Sequence, residues 1–314
     1  MISDQTLKQA VSYIVLHGKE AASKHFNLSS ETVSRYVRDA RGRGLIDDID
    51  DVINKRPNVL VLDIETTPMI VSAWRLGKSH ILTNNVLEDR HLLSYAVKWL
   101  FEPDVFADIL TPAEVLSGDD KRITEDVWEF VDHADIIIAH NGKRFDMAML
   151  NTRFIMNDIN PPSPYQIIDT LLAFRSIGNF SSNKQGYLNK VLCLTEKMEH
   201  EGLEMWHKCK AGDPDALHTM LEYNKIDIFG LEEMYVKIRP WIKGHPNMSL
   251  YHDGVDMEDC HRCGGEIEYI NKPYVTPMNR YSAYRCKECG GIGRSRSSEL
   301  TTVKRKSLTA SVSR

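Results

Sequence analysis

The run Val59-Leu-Val-Leu-Asp-Ile-Glu65 constrains this chain more than any other segment. Its apolar stretch reads as a strand buried in a sheet, yet it ends in two acids. Side chains two apart on a strand leave the same face, so Asp63 and Glu65 stand together. Burying them is expensive without a counter-charge, and a metal cation supplies one. Two later segments carry related groups. DIIIAHNGKRFDMAML holds Asn141 and Asp146, and LEYNKIDIFGLEEMY holds Tyr223 and Asp227. Four apart in helical text, Tyr223 and Asp227 share one stripe. Asp146 follows a strand-to-helix turn, where a helix N-terminus favours a carboxylate.

Each piece alone is ordinary, since a strand-end D-x-E can cap and a Y-x-x-x-D in a helix means little. Together, and in this order, they describe four carboxylates able to hold two divalent cations about 3.5–4 Å apart against a phosphodiester. Oxygen donors of this kind suit Mg²⁺ or Mn²⁺. Tyr223 is then expected to orient the attacking water or help deprotonate it; with a reference pKa of about 10, the phenol needs the pull of the metal. Asp169, at the end of YQIID, is a further acid whose expected role is structural or supporting.

The surrounding text alternates between strand and helix periodicity. VLVLDIE, MIVSAWRLG and LLSYAVKWLF read as three strands of a meander, and ITEDVWEFVDHA as an amphipathic helix. DIIIAHN is a short buried strand running into the helix RFDMAMLNTRFIM, and YQIIDTL another strand. From LLAFRSIG to Trp241 the text is helical, broken at SSNKQG and AGDPD. Three strands, helix, strand, helix, strand, helix is the order of a ribonuclease-H-like sheet: an antiparallel ribbon first, then parallel additions. The predicted fold is therefore α/β over residues 57–243, a mixed sheet with flanking helices.

Both flanks differ in character. Residues 1–45 read as a helix-turn-helix-like unit whose third helix, SETVSRYVRDARGRG, begins at Ser29 or Ser30 and presents Ser34, Arg35 and Arg38 to a nucleic-acid groove. Trihelical units also serve dimerisation or docking. Residues 46–56 form an acidic linker. Cys260/Cys263 and Cys286/Cys289 are two C-x₂-C pairs, each followed by two glycines, which fits a structural Cys₄ zinc ribbon over 255–293; iron is the alternative. Arg280, Tyr281, Tyr284 and Arg285 give that ribbon the means to grip single strands, beside a purely stapling role. The Ser-rich, basic residues 294–314 read as disordered. Cys193 and Cys209 read as structural.

Charge is divided unevenly. Residues 1–45 hold 7 Lys/Arg against 4 Asp/Glu, residues 260–314 hold 11 against 4, and the middle holds 21 against 36. Basic flanks around an acidic centre suit a metal-dependent enzyme acting on a polyanion. No apolar run reaches membrane-spanning length and no signal-like layout opens the chain, so a cytoplasmic protein without membrane contact is expected.

On DIET (Asp63, Glu65), NGKRFD (Asn141, Asp146) and YNKID (Tyr223, Asp227), the chain resembles the tyrosine branch (DEDDy) of the DEDD superfamily of 3′-to-5′ exonucleases over about residues 57–241. The stretch FSSNKQGYLNKVLCL and the text following it are similar to small bacteriophage exonucleases, many with a cysteine-pair module, which would place the protein in host cytoplasm. The resemblance implies that Asp63 bridges two metals, Glu65 and Asp227 complete one coordination sphere, and Asp146 helps hold the outer metal. It places Thr66 at the terminal nucleotide and makes Asn141 a group that supports the metal ligands or positions substrate. Asn183 and Lys184 are further candidates to touch the 3′-terminal strand, or else form a polar turn. The expected function is metal-dependent release of nucleoside monophosphates from a 3′ end, DNA being favoured over RNA. The alternatives are a DNA-binding regulator that uses the nuclease fold for docking, and a ribonuclease-H-like endonuclease.

Overall fold

The computed structural model describes residues 57–75, 77, 80–199, 201–251 and 259–309, with scattered positions between 7 and 43. Two compact units emerge, Asn58–Ile238 and a second made of Met1–Pro57 with Arg239–Arg314.

The first unit is built on a five-stranded mixed sheet. β1 (Val59–Thr66) lies at its centre, with β4 (Leu92–Trp99) and then β5 (Val105–Ile109) on one side and β6 (Ile136–Ala139) and then β7 (Gln166–Asp169) on the other. Pairing is antiparallel from β1 through β4 to β5, and parallel from β1 through β6 to β7. This is the ribonuclease-H-like arrangement expected from the element order. Leu60, Val61 and Leu62 are fully buried because a central strand is covered on both faces. Helix α2 (Lys121–His133) buries Ile123, Val127 and Val131, its apolar stripe, and follows the short α1 (Pro112–Ser117). Helices α3 (Asp146–Met156), α4 (Thr170–Ile177), α5 (Gln185–Leu192), α6 (Leu203–Lys210) and α7 (Pro214–Ile238) complete the unit.

One strand differs from the reading of the sequence. MIVSAWRLG does not join the main sheet: among its described residues only Ile70–Val71 (β2) is extended, paired with β3 (Val86–Glu88), and Trp74 is fully exposed. A register shift at Glu65/Thr66, followed by Pro68, takes the chain out of the ladder, since proline has no N–H to give. The third strand of the ribbon is instead the short Val105–Ile109.

In the second unit, β8 (Ile267–Thr276), β9 (Asn279–Cys286) and β10 (Ile292–Arg294) form an antiparallel sheet in the order β10-β9-β8. Beyond it, where composition predicts disorder, a short α8 (Thr302–Lys306) is capped by the Thr301 hydroxyl, which accepts from the Lys304 N–H. The predicted helix-turn-helix lies largely outside the described residues. Among those described, Leu7, Ala22 and Ala40 are helical and buried, Ser29 Oγ accepts from the Thr32 N–H, and Arg35 is exposed. Arg38 and the linker 46–56 lie outside the described residues. No helix among the described residues is long and apolar enough to cross a membrane.

Candidate metal centre and nucleic-acid cleft

β1 carries Asp63 and Glu65 on one face, opposite Ala96 and Ser94 of β4. Helix α7 brings Tyr223 and Asp227 to that face, and its register is held by buried polar contacts. Asn224, fully buried, donates to Asp63 Oδ2 at 2.7 Å and accepts from Ser94 Oγ at 3.0 Å. Further along, Glu232 accepts from Lys98 Nζ and from the Phe101 N–H, both at 2.7 Å. As a result, carboxylate oxygens of Asp63, Glu65 and Asp227 lie within 4.8 Å of one another. Asp146 opens α3 and accepts from the Ile64 N–H at 3.3 Å, while its buried Oδ2 has no hydrogen-bond partner.

The electrostatics follow from this crowding. Burial pushes Asp63 well above the usual carboxylate range, and Asp146, Asp227 and Glu65 add repulsion. Burial likewise raises Glu65 to about 7 and Asp146 to about 7. Acids crowded and buried in this way hold protons that a bound cation would displace, and the donor set is all oxygen, as hard divalent ions prefer. The orphaned Asp146 Oδ2 adds a free ligand atom. These residues fit Mg²⁺ or Mn²⁺.

Lys197, which nothing in the sequence singled out, supplies the counter-charge in this structure. Its ammonium donates to Tyr223 Oη at 2.9 Å, pairs with Asp227, and lies 5.0 Å from the centre of the Tyr223 ring. Burial pulls its pKa down, but Asp227, Asp63 and Tyr223 outweigh that and raise it. The irregular segment between α5 and α6 places it. Asn189 Nδ2 donates to the Thr195 carbonyl, and Thr195 donates through its N–H and hydroxyl to Glu233 of α7. That segment passes so close to α7 that a Cβ on Gly230 would come within 2.8 Å of the Thr195 carbonyl, and within 2.3 Å of Asn189 Nδ2 on α5. Tyr223 itself is raised by burial, with Asp227 adding to the effect, and Trp206 meets its ring edge-on.

Beside these groups opens a cleft of about 700 Å³ lined by Asp63, Asn141, Asn183, Lys184, Tyr187 and Lys197, among others. Asn141 turns there with φ of 71°, a left-handed conformation asparagine tolerates. Asp169 braces the turn: it accepts from the Asn141 and Lys143 N–H groups and caps α4 through the Leu172 N–H. His140 hydrogen-bonds Thr170 Oγ1 on one ring nitrogen and the Asn183 carbonyl on the other, tying both cleft walls together. Thr66 ends β1, buried, and does not line the cleft.

In the second unit, the Sγ atoms of Cys260, Cys263, Cys286 and Cys289 lie within 4.8 Å of one another. The Cys260–Cys289 and Cys263–Cys286 sulfurs are 3.8 and 3.5 Å apart. A tetrahedron with Zn–S bonds of about 2.3 Å has edges of about 3.8 Å, so the cluster fits zinc. Hydrogen bonding from Cys260 holds Cys286 down at about 6, favouring the thiolate that ligates metal. Gly264 and Gly290 take φ of 72° and 71°, and the Gly291 N–H donates to Cys289 Sγ, which is the turn each knuckle needs. His261 hydrogen-bonds Tyr284 rather than joining the cluster.

No curated protein matches the chain. Among solved structures, the family B DNA polymerase from the hyperthermophilic archaeon Pyrobaculum calidifontis is similar at 15% identity, with a TM-score of 0.45 over 59% of this chain. The likeness spans 25% of that polymerase's own chain. A family model described as the RNase_H superfamily matches residues 111–239, a span that includes Asp146, Tyr223 and Asp227 and begins after Asp63 and Glu65.

Proposed function

We propose that this protein is a metal-dependent 3′-to-5′ exonuclease that hydrolyses nucleic acid, DNA by preference, to nucleoside monophosphates. The observation that carries the reading is the convergence of Asp63, Glu65 and Asp227 beside an open cleft, with Tyr223 and Asp146 adjoining. The match to the RNase_H superfamily over 111–239 supports it.

Asp63, Glu65 and Asp227 would hold the cations, with Asp146 Oδ2 as a further donor. When bound, two Mg²⁺ or Mn²⁺ ions supply charge neutralisation at phosphorus and activation of water. The Tyr223 hydroxyl, fixed by α7 and Trp206, orients that water for attack. The P–O3′ bond breaks, the shortened strand keeps the 3′ hydroxyl, and the 5′-monophosphate leaves. Asn141, Asn183 and Lys184 face the departing strand along the cleft, with Thr66 behind the acids. We assign this chemistry to residues 57–243, zinc to the four cysteines of 255–293, and Arg35 and Arg38 of the helical unit 1–45 to backbone contact.

Asp63→Ala, assayed on a 3′-labelled oligonucleotide with Mg²⁺ or Mn²⁺, should lose at least about 100- to 1,000-fold in rate, the scale on which one charge-stabilising group acts. Undiminished activity would sink the proposal. A circular single strand should survive intact; its cleavage would favour an endonuclease. Matched DNA and RNA oligonucleotides test the preference.

A further inference from the structure

The zinc ribbon has two unlike faces. On one, Tyr269 of β8 is exposed, but Tyr284 opposite it and Arg280 are committed to the fold. Tyr284 is buried, shares a 2.6 Å hydrogen bond with His261, and packs over Gly293, where a Cβ would sit 2.1 Å from its ring. Arg280, on the same side of β9, donates to Glu299 at 2.8 Å. Two of the residues that made the ribbon look able to grip nucleic acid are therefore occupied.

The opposite face carries a second aromatic and basic group, above the buried Ala283. Tyr274 of β8 stands directly across from Tyr281 of β9, their ring centres 6.4 Å apart. Arg294 of β10, in register with Ala283, lays its guanidinium 4.0 Å from the Tyr281 ring centre and 5.5 Å from that of Tyr274. Tyr274 remains 51% exposed, and Arg294 is exposed as well. Arg285 follows on this face, also exposed, opposite Glu268. The result is a continuous π surface carrying a delocalised positive charge, in a segment with 11 Lys/Arg against 4 Asp/Glu.

We infer that Tyr274, Tyr281 and Arg294 form a stacking platform for the unpaired bases of single-stranded nucleic acid. Unstacked bases offer flat faces to the tyrosines and guanidinium, while phosphates meet the remaining N–H groups of Arg294 and Arg285. A duplex hides its base faces and so gains only the charge. The inference rests on nucleic acid being the polymer this protein handles.

The test uses the full-length zinc-loaded protein without added Mg²⁺ or Mn²⁺, titrated by fluorescence anisotropy with 20-mers of dT and rU and a 20-base-pair duplex. Tyr274→Ala/Tyr281→Ala should weaken dT binding about 10- to 100-fold, the range for losing one stacked base, and leave duplex binding unchanged. Tyr274→Phe/Tyr281→Phe should stay within about twofold of wild type, because the rings remain. Because the alanine pair also removes packing, Arg294→Lys serves as the second variant; it keeps charge but not the planar stack and should weaken dT binding at least about threefold. Wild-type affinity in both the alanine pair and Arg294→Lys, or duplex bound as tightly as single strand, would overturn the inference. Equal binding of dT and rU shows stacking indifferent to the 2′-hydroxyl and the thymine methyl, and a difference assigns part of the grip to one or both of those groups; both keep the platform. Hydrolysis of thymidine 5′-(p-nitrophenyl phosphate) reads the carboxylates separately. Its absence in wild type would overturn the nuclease reading while leaving the ribbon result to stand on its own.

Discussion

At the scale of single residues, Lys197 and a divalent cation answer the same need. Three clustered acids and a fourth beside them are costly to bury, and the ammonium at Asp227 offsets part of that cost. Lys197→Met should lower the stability of the metal-free protein by about 2 kcal/mol, below the full cost of breaking a wholly buried pair because the lysine is partly exposed. Added Mn²⁺ should then raise the melting temperature more in the variant than in wild type. Equal melting temperatures without metal would refute this role. The acids also set a pH dependence. Glu65 and Asp146 titrate near 7 in the folded protein and well below that when unfolded, so the folded state holds protons that the unfolded state releases. Stability of the metal-free protein should therefore fall as pH rises from 5 to 8. Asp146→Asn should flatten that slope, as read from denaturant midpoints; a slope unchanged by the substitution would refute it. As candidates, Asp63, Glu65, Asp146, Tyr223 and Asp227 could be read from residue type and their joint spacing, and the structure clusters Asp63, Glu65 and Asp227. Lys197 could not be read so, since it sits in irregular text and owes its place to contacts made by Thr195 and Asn189. Asn224 was equally hidden: one asparagine in a helix says nothing until the helix is laid against Asp63 and Ser94.

At the scale of elements, α7 matters as a rigid ruler laid on the sheet. Its register depends on Asn224 at one end of the contact and Glu232 at the other. Asn224→Ala leaves Asp63 Oδ2 and Ser94 Oγ without this partner in a buried setting, at a cost of about 2–3 kcal/mol. The denaturation midpoint should fall accordingly, and cleavage of a 3′-labelled strand should drop with it, because Asp63 loses the contact that orients it. Full activity in a stably folded variant would show that β1 alone orients Asp63. The elements themselves were mostly readable. β1, β6 and α3 carry unbroken apolar runs or clear helical periodicity, and the cysteine knuckles announce a ribbon. MIVSAWRLG misled because its composition suits a strand while its place, after a register shift and Pro68, denies it a neighbour in the main sheet. Val105–Ile109 escaped notice because five residues carry too little pattern. Tyr284 looked available for stacking because strand parity alone does not say which face of a small ribbon is closed.

For the whole molecule, clustered acids and clustered thiols divide between two units. Asn58–Ile238 holds the acids within a large apolar core, with Leu60, Leu62, Ile137 and Leu150 fully buried. The ribbon has no comparable core: among its described residues the buried side chains are chiefly Cys260, Cys286, Ala283 and Tyr284. So small a set cannot order three strands by apolar burial alone, and the zinc proposed for the four cysteines would supply the rest. Two thermal transitions with different dependences are expected. A thiol-competing chelator, or Cys263→Ser, should abolish or lower the transition of residues 259–300 and release about one zinc per chain. The transition of 58–238 should stay within about 2 °C, since a stability change that does not reach this unit leaves its midpoint in place. Scanning calorimetry with zinc quantified in the released fraction tests both halves. Hydrolysis of a small phosphodiester should survive zinc loss, while binding of single strands should weaken because the Tyr274, Tyr281 and Arg294 surface is held together only by the strands that zinc orders. Parallel loss of both activities on zinc removal would instead mean that the two units fold as one.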